Sequence, residues 1–308
     1  MARTLTATEA GTLEALLIKT SRTFALSIPA LAEPLRRQVT VAYLLFRIAD
    51  TLEDATEWPP AKQLEELDRF DRMLGRFDEE RAREAASHWR DRPPLHDEGY
   101  LELLAATPFV LGALEGLPEE PRELIRAHTS RTVECMASFV RRTDEARNLE
   151  LDDVEDLKAY CYAVAGIVGE MLTELFLAEC KRLGPVADAL RGSAARFGEA
   201  LQLVNILKDS AADAGEGRRY LPAGVERKAV FAIARADLEQ AGRYVDRLQR
   251  AGAPRGLVAF TALPVLLAWR TLEQVEARGP GAKLSRPEVL EIAERLERRL
   301  DRDEPAVP

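Results

Sequence analysis

Four residues in the stretch YLLFRIADTLED could do chemistry together. Tyr43, Arg47, Asp50 and Asp54 stand at offsets of zero, four, seven and eleven, so a helix would line them along one face, with Glu53 beside the last. Val41, Ala42, Leu44, Leu45, Ile48, Ala49 and Leu52 fill most of the other positions. The segment is apolar with a narrow polar seam, the reverse of an ordinary surface helix. A buried carboxylate needs a positive partner, so the seam must meet either water or a cation.

A second segment, LQLVNILKDSAAD, repeats the device. Gln202, Asn205, Asp209 and Asp213 fall at offsets of zero, three, seven and eleven among Leu201, Leu203, Val204, Ile206 and Leu207. With 52 acidic residues in the chain, acid pairs at four-residue spacing arise by chance about nine times, and most such pairs are solvated surface. The apolar setting, the duplication, and the amides and arginine on the same seams separate these two from that background. Paired carboxylates offer hard oxygen ligands suited to Mg²⁺, which shares its coordination with phosphate. Two such seams suggest two helices facing one another across a polar pocket that holds metal and diphosphate.

Cationic groups accompany the seams. Arg47 lies one turn before Asp50, Lys208 precedes Asp209, and Arg218 and Arg219 follow in a glycine-flanked loop. TSRTF adds Ser21 and Arg22 at the entry to the fold. Singly, each is as well explained as a surface charge; together they suit a departing diphosphate. A third segment, AYCYAVAGIVGEMLTELF, is rich in small residues, and helical glycine reports close packing or a bend. A bend lined by Val164, Val168 and Leu172 would open an apolar channel with Tyr160 at its mouth, whereas plain tight packing explains the same residues as well.

The elements that position these groups follow from apolar periodicity. Three- and four-residue spacing recurs throughout and strand-like alternation is scarce, which predicts an all-α fold. Helices are predicted at about 7–19, 33–54, 61–76, 100–115, 122–141, 154–182, 186–213, 230–251, 254–277 and 286–300. Loops are punctuated by WPP, DRPPLHDEG, LPEEP, AGEGRRYLPAG and RGPGAK. No composition shift marks a border, so residues 1–308 are predicted to form one large helical domain, with a frayed tail over about 300–308.

Composition narrows the function classes. The chain is 46% hydrophobic and 31% charged, with a net charge of −9 and no cluster of basic residues, which argues against nucleic acid. Three cysteines in apolar segments without CxxC spacing fit a reducing compartment, and three scattered histidines do not suit structural zinc. MARTLTATEA lacks the continuous apolar stretch of a secretory signal. GLVAFTALPVLLAW is too short to span a bilayer and contains Pro264, so it is expected to be a core helix, with membrane-surface contact as the alternative. A cytoplasmic location follows, with peripheral membrane association left open.

TSRTF, FRIADTLED, YCYAVAGIVG and LQLVNILKDSAADAGEGRRYLP, in that order and at these separations, resemble the squalene/phytoene synthase family over about residues 10–280. The resemblance implies a helical bundle of the isoprenoid synthase type with a central cavity, and Mg²⁺-dependent head-to-head joining of two prenyl diphosphates. Carried onto this chain, it implies Mg²⁺ ligation by Asp50, Asp54, Asp209 and Asp213, with Gln202 and Asn205 supporting the second seam. It further implies phosphate contacts from Ser21, Arg22, Arg47, Arg218 and Tyr220, and a base or proton-relay role for Tyr160.

The chain departs from the family pattern twice. Lys208 stands where arginine is common, a point charge that makes no bidentate fork, and Ala212 replaces an acid in the second motif. The first motif looks more like squalene synthases, which points to two farnesyl diphosphates passing through presqualene diphosphate to squalene. Dehydrosqualene, hydroxysqualene and phytoene stay open as products, as do a terpene cyclase or head-to-tail prenyltransferase on the same scaffold and a non-catalytic helical partner. Squalene would require NADPH, for which no GxGxxG after a strand is visible.

Overall fold

A computed structural model describes residues 6–21, 23–144 and 148–307. The chain divides into two compact units, one of residues 1–29 with 33–147, the other of residues 30–32 with 148–308. The fold is all-α, as the periodicity predicts.

In the first unit, α1 (Ala7–Thr20) opens on a capping box between Thr6 and Glu9. The short α2 (Phe24–Ser27) leads to α3 (Leu35–Glu53), the apolar rod that carries the first seam. Around α3 lie α4 (Pro60–Gly75), α5 (Glu79–Asp91), α6 (Glu98–Ala105), α7 (Thr107–Glu115) and α8 (Glu119–Val140). α3 packs directly against α1, α4, α6, α7 and α8, so every side but the seam meets another helix.

Two of these helices differ from expectation. α5 was not predicted, because its buried stripe is Ala82, Ala85, Ala86 and Trp89 rather than large aliphatics, and alanine scarcely registers as an apolar period. The single helix expected over 100–115 breaks at Ala106 and restarts at Thr107, where Pro108 suits a first turn but not a helix interior. α4 and α5 are locked together by Glu66, fully buried, which accepts a hydrogen bond from Trp89 Nε1 at 2.9 Å and pairs with Arg69 at 2.9 Å and Lys62 at 2.5 Å.

The second unit is built on α11 (Ala187–Gly215), 29 residues long. Before it come α9 (Val154–Cys161), a π-helical turn at Tyr162–Gly166, α10 (Ile167–Glu179) and a 3₁₀ segment, Lys181–Val186. The one long helix expected over 154–182 is therefore interrupted twice, by the π turn and by the 3₁₀ segment that contains Pro185. α12 (Arg227–Arg250), α13 (Arg255–Arg278) and α14 (Arg286–Asp301) complete the unit. The two-residue strands β1 (Leu149–Glu150) and β2 (Arg218–Arg219) pair in parallel, Leu149 opposite Arg218 and Glu150 opposite Arg219.

The carboxyl-terminal residues do not fray as expected. α14 runs to Asp301, Ala306 and Val307 are buried, and Gln249 fastens the tail by donating to the Glu304 carbonyl and accepting from the Ala306 N–H, both at 2.8 Å. The apolar run in α13 lies in a 24-residue helix that is long enough to cross a bilayer, contrary to its expected shortness, as is Val154–Glu179. More than half of each candidate window is buried inside the protein, which is how the core helix of a globular unit behaves.

Candidate active site

The seam of α3 survives folding residue for residue. From Val41 to Asp54, the residues that keep partial exposure are Tyr43, Arg47, Asp50 and Asp54, and every other side chain is buried. Arg47 forms an ion pair with Asp50 on the next turn and lies over the Tyr100 ring, 4.6 Å from its centroid. Burial works against the Arg47 charge, but Asp50, Tyr43 and Tyr100 together hold its pKa above the ordinary value. The guanidinium is thus a fixed cation beside an acid. Tyr43 donates to the Thr20 carbonyl at 2.8 Å, and burial raises its phenol pKa against the pull of Arg47.

Carboxylate oxygens of Asp50, Glu53 and Asp54 lie within 4.8 Å of one another. Glu53, which the sequence set beside the seam without a ligand role, therefore joins the two predicted aspartates. Three hard oxygen donors at the end of a buried apolar helix fit a small divalent cation such as Mg²⁺. The loop that follows is held from below: Gln63 Nε2 donates to the Glu53 carbonyl at 2.7 Å and to the Ala55 carbonyl at 3.2 Å. Ser21 accepts from the Phe24 N–H at 2.8 Å and follows Thr20, the partner of Tyr43. Arg22, the remaining candidate of that segment, lies outside the described residues.

In the second unit, α11 presents Gln202, Asn205, Lys208, Asp209 and Asp213, all at least partly exposed. Lys208 Nζ reaches Asn205 Oδ1 at 3.2 Å and Asp209 at 3.1 Å, so the lysine in the departing position grips its own seam. The Lys208 carbonyl accepts from the Gly281 N–H at 2.7 Å, which ties the α13–α14 turn to this stretch. Asp213 has its pKa raised to about 6, first by burial, then by Asp209 and Glu216, with Lys208 opposing. Carboxylates crowded this way attract a cation. A side chain that sequence reasoning missed, Arg227, braces the same turn: it donates to Ser210 Oγ at 3.3 Å and to the Leu207 carbonyl at 3.2 Å.

Tyr160 and Tyr220 are both buried, stack with ring centroids 4.5 Å apart, and share a hydrogen bond at 3.0 Å in which Tyr160 donates. Their partnership across sixty residues has no sequence signal. Arg218 pairs with Glu216 at 2.7 Å, and β2 ties its loop to β1 through Leu149 N–H to the Gly217 carbonyl at 3.0 Å and Leu151 N–H to the Arg219 carbonyl at 3.2 Å.

The small residues of the third segment report close packing. A Cβ at Gly198 would fall 1.9 Å from the Ala165 carbonyl oxygen, and one at Gly169 would fall 2.1 Å from that of Ala194. The π turn and α10 therefore meet α11 backbone to backbone. Leu172 is buried, and Val164 and Val168 keep partial exposure. A π turn is an uncommon insertion that is found most often at functional sites.

The family model described as squalene/phytoene synthase matches residues 17–229 of this chain. The squalene synthase of Eremothecium gossypii is 33% identical over 211 residues, which cover 67% of this chain and 44% of that protein. The chain thus spans less than half the length of this curated relative. The structure of TcSQS in complex with E5700 superposes with a TM-score of 0.74 at 24% identity, covering 93% of this chain and 85% of that one. A dehydrosqualene synthase in complex with a ligand gives a TM-score of 0.63 at 19% identity, covering 96% and 97%. The fold is the helical fold of these synthases. With two-thirds of its length matched by the family model and carrying both acidic motifs in their expected order, the chain belongs to the squalene/phytoene synthase family.

Proposed function

We propose that this protein is a prenyltransferase that joins two prenyl diphosphates head to head with Mg²⁺, acting on two farnesyl diphosphates through presqualene diphosphate to squalene. The observation that carries the proposal is the convergence of Asp50, Glu53 and Asp54 within 4.8 Å on a helix whose other faces are buried. Such a cluster supplies the ligand type that Mg²⁺ and diphosphate require. Family membership and the second acidic seam support the same reading.

Asp50, Glu53 and Asp54 hold one metal–diphosphate centre, and Asp209 and Asp213 hold the other with Gln202 and Asn205 in support. When bound, Mg²⁺ neutralises charge on the departing diphosphate. Ser21, Arg22, Arg47, Lys208, Arg218 and Tyr220 bind phosphate oxygens, and Arg47 is already oriented by Asp50 and the Tyr100 ring. The carbon–oxygen bond of one substrate breaks, the double bond of the second attacks the allylic cation, and loss of a proton closes the cyclopropane. Tyr160, hydrogen-bonded to Tyr220, takes or relays that proton through the paired hydroxyls. Apolar side chains exclude the water that would quench a cation. Reduction to squalene draws a hydride from NADPH, and without it the expected products are dehydrosqualene or hydroxysqualene. A cytoplasmic location with peripheral contact to a membrane suits such lipid-tailed substrates.

The test is incubation of the pure protein with farnesyl diphosphate and Mg²⁺, with and without NADPH, followed by mass spectrometry, in parallel with geranylgeranyl diphosphate. A C30 product that requires Mg²⁺ and disappears in Asp50→Asn and Asp209→Asn, with helical content retained, is expected. A cyclic C15 product, a linear head-to-tail diphosphate, or wild-type turnover in either variant would overturn the assignment, and phytoene from the C20 donor would reassign the substrate.

A further inference from the structure

A cavity of about 380 Å³ opens in the second unit where α11 begins, lined by Val186, Arg243, Asp246, Arg247, Arg250 and Ala251. Asp209 lies twenty-two residues beyond Ala187 on the same helix, about 33 Å along its axis. The cavity is therefore remote from the carboxylates of that seam. Arg243, Asp246, Arg247 and Arg250 are spaced by three, four and seven positions, which sets them on one face of α12.

The lining carries three guanidinium groups and one carboxylate, an excess of two positive charges. The one carboxylate is taken: Asp246 accepts from Arg250 at 2.9 Å. Arg243 is divided between Gln240 at 3.1 Å and a distant Glu239 at 3.9 Å. Arg247 is half-buried and donates to Ser193 Oγ on α11 at 3.2 Å, a neutral partner, and among the described residues it makes no ion pair. A guanidinium drawn partly out of water stays charged, and its desolvation is offset only when an anion meets it.

Cations near the end of α12 suit the carbonyl ends of that helix, and by position this accounts for both Arg247 and Arg250. It does not account for Arg243, two turns before Arg250. Val186 adds to the same field. It is the residue before the first turn of α11 and supplies no side-chain cap, and the acid of that turn, Asp188, is fully exposed on the side of Arg191. Three forked donors around a small cavity match the oxygens of a phosphate group better than a single carboxylate.

We propose that this cavity binds a phosphate group, carried either by a free phosphate or by a lipid headgroup, at a place separate from the acidic seam of α11. The full chain is titrated calorimetrically with inorganic phosphate in the presence of EDTA, so that metal-dependent binding at the aspartates does not contribute. It is also sedimented with phosphatidylcholine vesicles with and without phosphatidic acid. Arg247→Gln and Arg243→Gln are compared with Arg295→Gln, which alters a surface arginine paired with Glu291 elsewhere.

Saturable binding of phosphate that weakens roughly tenfold or more in both cavity variants, and not in Arg295→Gln, supports the site and identifies a free anion. Sedimentation that requires phosphatidic acid and is lost in the same variants supports the site and identifies a headgroup. Absence of both, or equal binding by wild type and the cavity variants, overturns it. Should Arg247→Gln melt below wild type, Arg243→Gln, at a side chain 51% exposed, decides the matter.

Discussion

Gly198→Ala adds one methyl group at one of the two most crowded glycines of the second unit. The new Cβ would stand 1.9 Å from the Ala165 carbonyl oxygen and 2.6 Å from its carbon, both backbone atoms that no rotamer change can move. Ordinary van der Waals contact requires about 1.5 Å more, so α11 and the π turn must separate along their contact. Because Gly169 meets Ala194 in the same way, the separation also loosens the reciprocal contact. Overpacking of this kind costs about 1–3 kcal/mol and more where backbone must shift, and the gain of about 1 kcal/mol from helix propensity offsets only part. Because the crowded atoms are backbone, the cost lies at the upper end, about 3 kcal/mol, and the net loss of about 2 kcal/mol lowers Tm by roughly 4–8 °C in a protein of this size. Differential scanning calorimetry measures this directly, with Gly192→Ala as its counterpart. Gly192 lies on the same helix with nothing within 4 Å of its Cβ position, so that variant should melt slightly above wild type. Equal melting temperatures for Gly198→Ala and wild type would refute the close-packing account of the third segment.

Three further outcomes are expected. Asp213, with its pKa raised to about 6 against an ordinary 3.8, binds a proton more readily folded than unfolded, so the metal-free protein should gain stability as pH falls from 7 toward 4. Apparent Mg²⁺ affinity should change in the opposite sense, weakening as pH falls through about 6; calorimetric titration of Mg²⁺ into wild type and Asp213→Asn checks the affinity, and urea denaturation of both in EDTA across the same pH range checks the stability. Glu66→Ala removes a fully buried carboxylate and leaves Arg69 and Trp89 Nε1 without it, so a loss of about 3–5 kcal/mol in urea denaturation is expected, whereas a loss below about 1 kcal/mol would remove Glu66 from the frame of the first unit. Tyr160→Phe and Tyr220→Phe should each slow formation of presqualene diphosphate without changing the melting temperature by more than a few degrees, and an unaltered first half-reaction in both would exclude the phenol pair from proton transfer.

Much of the architecture is legible because large aliphatics at three- and four-residue spacing record which face of a helix is covered. The seam of α3 is the clearest instance, since its four partly exposed positions all interrupt the apolar pattern, although Thr51 and Glu53 interrupt it too and are buried. Legibility fails where packing uses small residues or contacts distant in sequence. The alanine stripe of α5 carries no strong period, and the glycine of YAVAG signals close packing or a bend without specifying the π turn. Arg47 over Tyr100, Tyr160 against Tyr220, and Gln249 on the tail join residues separated by some fifty or sixty positions, which local patterns do not encode. Glu53 was visible as a neighbour of the seam, yet its inclusion depends on the final turn of α3, where its carboxylate comes round to those of Asp50 and Asp54.

The short parallel ladder between β1 and β2 closes a circuit in the backbone. Leu149 and Leu151 hold one end of the 217–220 loop, and a few residues later the Asp153 cap, whose carboxylate accepts from the Asp156 N–H at 2.9 Å, launches the helix whose Tyr160 ring rests on Tyr220 at the loop's other end. Arg218 therefore sits in a loop fastened at both ends, by the backbone ladder on one side and by the Tyr160–Tyr220 stack on the other.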